Sequence, residues 1–252
     1  MKRDNTTTQR YFADAGISRG MHVIEIGCGG GEVTQILAVQ VDSSGSVVAI
    51  DRDQRALATA EDRMRGLGIE HVKFVCADVT KSDLSLEAFP HESFDVLAGR
   101  RVLMYLQNPV EVLRCLSRLL KSGGLIVFEE TDSTMVPART SSMPAHDQAT
   151  ELFRRMLVAE GANTAMGFEL PTALVQAGLQ FEKIRAEAVI QGQGSQDPLP
   201  ALLGLVQSRL ITAGIASQSE IDSLAVQLRM ESRDPACVYV SEMSFCAWAR
   251  KP

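Results

Sequence analysis

No stretch of the 252-residue chain approaches the roughly 18 consecutive apolar residues that a membrane-spanning helix needs. The opening residues, MKRDNTTTQRYF, lack the apolar segment of a secretion signal. Five cysteines (Cys28, Cys76, Cys115, Cys237 and Cys246) are an odd number, scattered singly and without CxxC or Cys/His ligand spacing. That argues against a disulfide framework and a cysteine-based metal site, and for reduced cysteines in the core of a cytoplasmic protein. Runs of Lys and Arg are missing too, and the formal net charge is −6. Nothing in the chain can therefore follow a phosphate backbone, and nucleic acid is not expected as a partner. A membrane is not expected either, and no internal repeat or low-complexity segment stands out. What remains is a chain long enough to bury a substantial core without covalent staples.

Within that frame, residues 22–130 alternate short β-branched runs with helical patterns, as a parallel sheet wrapped by helices requires. The expected strands are HVIEI (22–26), SVVAI (46–50), VKFVC (72–76), FDVLA (94–98) and LIVFEE (125–130). They are continuously apolar rather than alternating, which suggests strands covered on both faces. Asp53 is placed to cap a helix carrying Leu57, Ala60, Met64 and Leu67 on one face, and Asn108 with Pro109 to start another, which Gly123 and Gly124 should end. After Thr131 a Ser-, Thr- and Pro-rich loop leads to helices near 146–159 and 169–177. Two further strands, at 180–190 and 237–249, would close the sheet. Between them lie two amphipathic helices, the second opened by Ser217 and Glu220 at the spacing of a capping box. These helices read as a cap inserted over the carboxyl ends of the strands.

The strongest local signal is VIEIGCGGGEV, a strand running through Gly27, Cys28, Gly29 and Gly31 into a helix that starts near Glu32. Glycines there permit a tight turn and close approach of a ligand to a helix N-terminus. A dinucleotide fingerprint wants a small residue where Glu32 stands, and a carboxylate there would repel a pyrophosphate. It suits a ligand bearing an ammonium or sulfonium charge instead; an ordinary strand-to-helix turn is the plainer alternative. Asp51 ends the second strand, 20 residues beyond Gly31, where a carboxylate can accept from both hydroxyls of a ribose. Asp78 ends the third, where it can accept from an adenine amino group. Either alone would more often be a loop residue, but three such features at the ends of three successive strands coincide with the edge where open α/β sheets bind ligands.

VIEIGCGGGE, AIDRD, FVCADVT, FDVLAGRRVLMYLQNP and LLKSGGLIVFEE resemble, in that order, the motifs of class I S-adenosylmethionine-dependent methyltransferases, over residues 10–130. The resemblance implies a Rossmann-like α/β fold: a seven-stranded, mostly parallel sheet with a C-terminal antiparallel hairpin, here interrupted by the helical cap. It implies one methyltransferase domain over 1–252, with a cofactor-binding core at 20–130 and acceptor-binding or cap segments at about 131–180 and 191–236. S-adenosylmethionine is the implied cofactor and S-adenosylhomocysteine its product. Glu25 and the Gly27–Gly31 loop would hold the methionine part, Asp51 the ribose, and Arg52 would flank the adenine, whose edge Asp78 and Val79 would read. Gly99 and Arg100, placed after the fourth strand, would line the pocket near the methionine tail, with Arg100 available to its carboxylate.

The acceptor is expected to be a small, partly apolar molecule, methylated at oxygen, nitrogen or carbon. AGRR after the fourth strand departs from the pattern of amino methyltransferases acting on bases or amides, and no metal-site pattern is present. If the acceptor must lose a proton, His146, Tyr11, Glu129 and Glu130 are the candidate bases. An ordinary imidazole titrates near neutrality, though His146 can equally be a solvated residue at a helix start and Tyr11 a core anchor. Of Glu129 and Glu130, one is expected to face the acceptor and the other to be solvated. The cap can equally serve as a homodimer interface. Competing readings are a non-catalytic scaffold on the same fold, an enzyme that uses the sulfonium for another reaction such as cyclisation, and, third, an NAD-dependent oxidoreductase.

Overall fold

The computed structural model describes residues 5–81, 89–135, 138–192 and 199–252. Residues 136–137 of the long loop and 193–198 of the expected cap segment lie outside the described residues. The chain divides into two compact units. One, the sheet unit, holds the described residues up to Glu130 with Met166–Ala186 and Phe245–Pro252; the other, the helical unit, holds Thr131–Ala165 and Glu187–Ser244.

Elements are numbered along the whole chain. The sheet unit contains α1 (Thr6–Ala15), β1 (His22–Ile26), α2 (Glu32–Val41), β2 (Ser46–Asp51), α3 (Gln54–Gly66), β3 (Val72–Cys76) and β4 (Phe94–Arg100). A 3-10 turn (Leu103–Tyr105), α4 (Pro109–Ser117), β5 (Leu120–Thr131), α6 (Met166–Gln176), β6 (Gln180–Glu187) and β9 (Ser244–Arg250) complete it. Its seven strands form one sheet in the order β3-β2-β1-β4-β5-β9-β6. The pairs β1–β2, β2–β3, β1–β4 and β4–β5 are parallel. The order reverses between β1 and β4, so the carboxyl ends of these strands open a crevice of the kind in which such sheets bind ligands.

Continuous burial of β1, β2 and β4 follows from helices on both faces, which is why their sequences do not alternate. Val23, Ile24, Ile26, Ile50 and Leu97 are all fully buried, each stabilising the fold by about 1.5–3 kcal/mol. Asp53 caps α3 as expected, accepting the Arg55 N–H at 2.8 Å, and Leu57, Ala60 and Met64 face inward.

Two expectations are corrected. Gly123 and Gly124 do not end α4, which stops at Ser117. They lie near the start of β5, where the register against β4 shifts between Phe94 and Val96, and Gly123 adopts φ +73°. The glycines serve a bulge. The two late strands do not each run unbroken. Their outer parts, β6 and β9, join the sheet, while β7 (Ile190–Gln191) and β8 (Tyr239–Val240) pair antiparallel within the helical unit.

The helical unit also contains α5 (Pro144–Ala159), α7 (Leu199–Thr212) and α8 (Gln218–Glu231). One face of each meets the others: Leu152, Phe153 and Met156 pack with Leu203, Val206, Leu210, Ile221, Leu224 and Leu228. The capping box forms, with the Glu220 N–H on the Ser217 hydroxyl and the Ser217 N–H on Glu220 Oε2 at 2.7 Å. Residues 166–180 belong to the sheet unit, where α6 packs on α4. No described helix is long and apolar enough to cross a membrane.

Candidate functional site

β1 delivers Glu25 and Ile26 into the loop that precedes α2. Gly27, Gly29 and Gly31 adopt φ of +65°, +52° and +78°, a region that side-chain-bearing residues seldom enter. A Cβ at Gly27 would stand 2.2 Å from Val102 Cγ2, and one at Gly31 would stand 2.9 Å from Ala60 Cβ. Nothing lies within 4 Å of the same atom at Gly29. The loop is thus gripped at its ends and open in its middle. Cys28, between them, is buried, which with the neighbouring acidic Glu25 pushes its thiol well above the usual range.

Asp51, the last residue of β2, ties this loop to its own strand. Oδ2 accepts the Gly29 N–H at 2.8 Å and Oδ1 the Asp53 N–H at 2.9 Å. A carboxylate offers about four acceptor positions, so about half remain. Gly27, Asp51, Arg52, Asp78 and Val79 border a cleft of about 210 Å³, whereas Glu25, Cys28, Gly29 and Gly31 do not. Asp78 is steadied by Thr80, whose hydroxyl and amide donate to Oδ1 at 2.7 and 3.0 Å and hold its carboxyl below the usual range. Arg101, Val102, Tyr105 and Leu106 supply a wall that the sequence reading did not anticipate.

Gly99 and Arg100 are not among the residues bordering this cleft, and they lie within β4 rather than after it. A Cβ at Gly99 would come 2.6 Å from the Phe128 ring, so the glycine lets β4 and that ring pack closely. Arg100 is engaged by protein groups: Nη1 donates to Asn5 Oδ1 (3.0 Å) and Thr8 Oγ1 (2.9 Å), and Nη2 to Glu32 Oε2 (3.2 Å). Glu32, expected to face a cationic ligand, is therefore in an ion pair. Glu25 is only 1% exposed. Burial lifts its pKa to about 8, against the opposing pull of the Thr34 hydroxyl (2.6 Å from Oε2) and of Arg100.

The expectation that one of Glu129 and Glu130 is solvated is overturned, because the end of β5 is covered and both are buried. Glu130 Oε1 accepts the N–H groups of Val102 (2.9 Å) and Leu103 (2.8 Å); burial nevertheless raises its pKa to about 7. The clue in the sequence was a pair of acids inside LIVFEE, an otherwise apolar strand. Tyr11 is fully buried in the main core with Phe12, Leu37 and Trp248.

His146 lies in the helical unit, in the first turn of α5, and is buried. Its ring stands 4.2 Å from that of Tyr239, tilted by 59°. It borders a cavity of about 610 Å³ formed within this unit. Thr150 and Arg154 continue the same helical face, Ser133, Thr134, Thr164 and Glu242 add polar groups, and Met135 is apolar. The two arginines at this cavity are already paired, Arg139 with Asp147 and Arg154 with Glu151.

A family model described as a methyltransferase domain matches residues 17–178, more than half of the chain. Among curated relatives, a malonyl-[acyl-carrier protein] O-methyltransferase from Paenibacillus sp. (strain JDR-2) is 33% identical over 42% of this chain and 37% of its own length. A demethylmenaquinone methyltransferase from Staphylococcus aureus (strain MRSA252) is 29% identical over 51% of each. The chain thus spans about half or less of the relatives it matches. A candidate methyltransferase from Bacillus halodurans, solved by crystallography, has a TM-score of 0.65 at 16% identity, over 98% of this chain and 99% of that one. That likeness, at such low identity, establishes a shared Rossmann-like fold.

Proposed function

Because the chain belongs to the methyltransferase-domain family, we propose that it is an S-adenosylmethionine-dependent methyltransferase acting on a small-molecule acceptor. The observation that carries this reading is the convergence of Gly27, Asp51 and Asp78 on one cleft at the carboxyl ends of β1, β2 and β3. The residues fit the cofactor. Gly29 is open where a side chain would otherwise stand, and Asp51 keeps acceptor positions after binding Gly29 and Asp53. About 210 Å³ suits a nucleoside better than a dinucleotide.

When bound, the sulfonium supplies an electrophilic methyl group and departs as S-adenosylhomocysteine. Asp51 would accept from the ribose hydroxyls, Asp78 and Val79 would read the adenine edge, and Arg52 would flank the adenine. Glu25 and the Gly27–Gly31 loop would hold the methionine part, Glu25 as a carboxylate beside its positive charge. Arg100 works one step back, holding Glu32 and α1 in place rather than meeting the ligand first.

The acceptor-binding segments in this reading are about 131–180 and 191–236, with the cofactor core at 20–130, within one methyltransferase domain. The 610 Å³ cavity supports this, being of ligand size and bordered by a buried imidazole. His146 is the base where the acceptor must lose a proton; Glu129, Glu130 and Tyr11 are structural. The hydroxyls and paired charges favour an acceptor with polar functions, and Met135 accommodates an apolar part. A cytoplasmic setting belongs to the same reading, supported by five free cysteines. The test is incubation with methyl-deuterated S-adenosylmethionine and a panel of phenols, quinols, amines and carboxylic acids, read by mass spectrometry. A deuteromethyl product with stoichiometric S-adenosylhomocysteine is expected. Cofactor binding without transfer to any acceptor class would favour a scaffold.

A further inference from the structure

We propose that Glu130 is a positioning residue for the cofactor cleft: its buried carboxylate clamps the segment after β4, and through Val102 that clamp sets the shape of the glycine loop. This rests on the cofactor reading above.

The segment leaves β4 through Arg101, a non-glycine residue at φ +54°. Such a backbone costs about 1 kcal/mol or more and persists only where its surroundings enforce it. The end of β5 enforces it. Three successive amides are held there: Arg101 N–H by the Glu129 carbonyl at 2.8 Å, then Val102 and Leu103 N–H by Glu130 Oε1 at 2.9 and 2.8 Å. Glu130 is fully buried, so water cannot replace it, and donors left without a partner in the interior are costly.

The clamped residues matter to the cleft in two ways. Arg101, Val102, Tyr105 and Leu106 form one of its walls. Val102 also keys into the loop, its Cγ2 occupying the space that any side chain at Gly27 would need. A displaced Val102 thus disturbs both the wall and the loop that Asp51 holds from the other strand. A carboxylate that only capped the 3-10 turn would affect stability without selectively affecting ligand affinity.

The experiment compares Glu130→Asp, which shortens the reach, with Glu130→Gln, which keeps both length and an accepting oxygen. Leu116→Ala, a buried change in α4, matches the stability loss elsewhere. Affinity for S-adenosylhomocysteine is measured by calorimetry, and amide exchange over 101–106 by mass spectrometry. Glu130→Asp should weaken binding by about tenfold or more and speed exchange at Val102 and Leu103. Glu130→Gln should stay within about threefold of wild type, and Leu116→Ala should bind normally. Unchanged binding and exchange in Glu130→Asp, or equal loss of affinity in Leu116→Ala, would overturn the proposal. Where Glu130→Asp does not fold, Val102→Ala carries the test, with weaker binding expected and unchanged binding contradicting it. A wild type that binds no S-adenosylhomocysteine refutes the cofactor reading, and the exchange comparison then decides the clamp by itself.

Discussion

Lowering the pH should weaken S-adenosylmethionine binding through a single buried carboxyl, Glu25. Burial lifts its pKa to about 8, so at neutrality the free protein holds it mostly protonated. A cationic ligand seated beside it needs the carboxylate, and ionisation must then precede or accompany binding. The apparent affinity falls by the factor 1 + 10^(8 − pH), which is about 100-fold at pH 6, about tenfold at pH 7 and negligible at pH 9. Titration calorimetry from pH 6 to pH 9 reads the slope. Parallel titrations at pH 7 in phosphate and Tris read release of about 0.9 proton. Glu25→Gln, measured at the same pH values, cancels the ligand's own titration: its affinity should be weaker at pH 9 and carry no part of the slope. Refutation would be a wild-type to Glu25→Gln ratio constant within about twofold from pH 6 to 9, with equal heats in the two buffers.

The same carboxyl should govern stability in the opposite direction. Its folded pKa lies above the unfolded value of 4.5, so its contribution is full below pH 4.5 and is lost as pH rises through 8. The penalty reaches at most about 5 kcal/mol; Glu25→Gln should flatten the fall seen in urea unfolding at pH 5 and pH 9. Ser217→Ala removes the α8 capping box and should cost about 1 kcal/mol in thermal unfolding while S-adenosylmethionine affinity stays at the wild-type level. His146→Ala should lower kcat for an acceptor that loses a proton by about 100-fold or more, without moving the cofactor Kd; an unchanged kcat would remove His146 as the base.

What was legible in the sequence is what short-range physics determines. β1 and β3 begin and end where their apolar runs do, at His22–Ile26 and Val72–Cys76. The Asp53 cap and the Ser217–Glu220 box are decided by residues two or three apart, and both form. The glycine loop, Asp51 and Asp78 could be placed because each sits at a strand end, and parallel strands bring their ends to one edge. What escaped depends on separations that a pattern does not encode. Arg100 turns to Asn5 and Thr8, more than 90 residues away, and the wall from Arg101 to Leu106 depends on Glu130, 28 residues from Val102. Two glycines that look like a helix stop became a bulge, because β5 carries extra residues between its pairings with Phe94 and Val96 of β4. The late strands broke in two as the chain passed from one unit to the other, a break that their strand-like patterns did not signal.

The central claim, that the cleft around the glycine loop takes S-adenosylmethionine through Asp51, is tested most directly by equilibrium dialysis of wild type and Asp51→Ala with radiolabelled S-adenosylmethionine, with NAD as the competing ligand. Micromolar binding by the wild type, undisturbed by NAD and lost in a folded Asp51→Ala, is the result expected. Absence of binding by the wild type, or equal binding by Asp51→Ala, would contradict it.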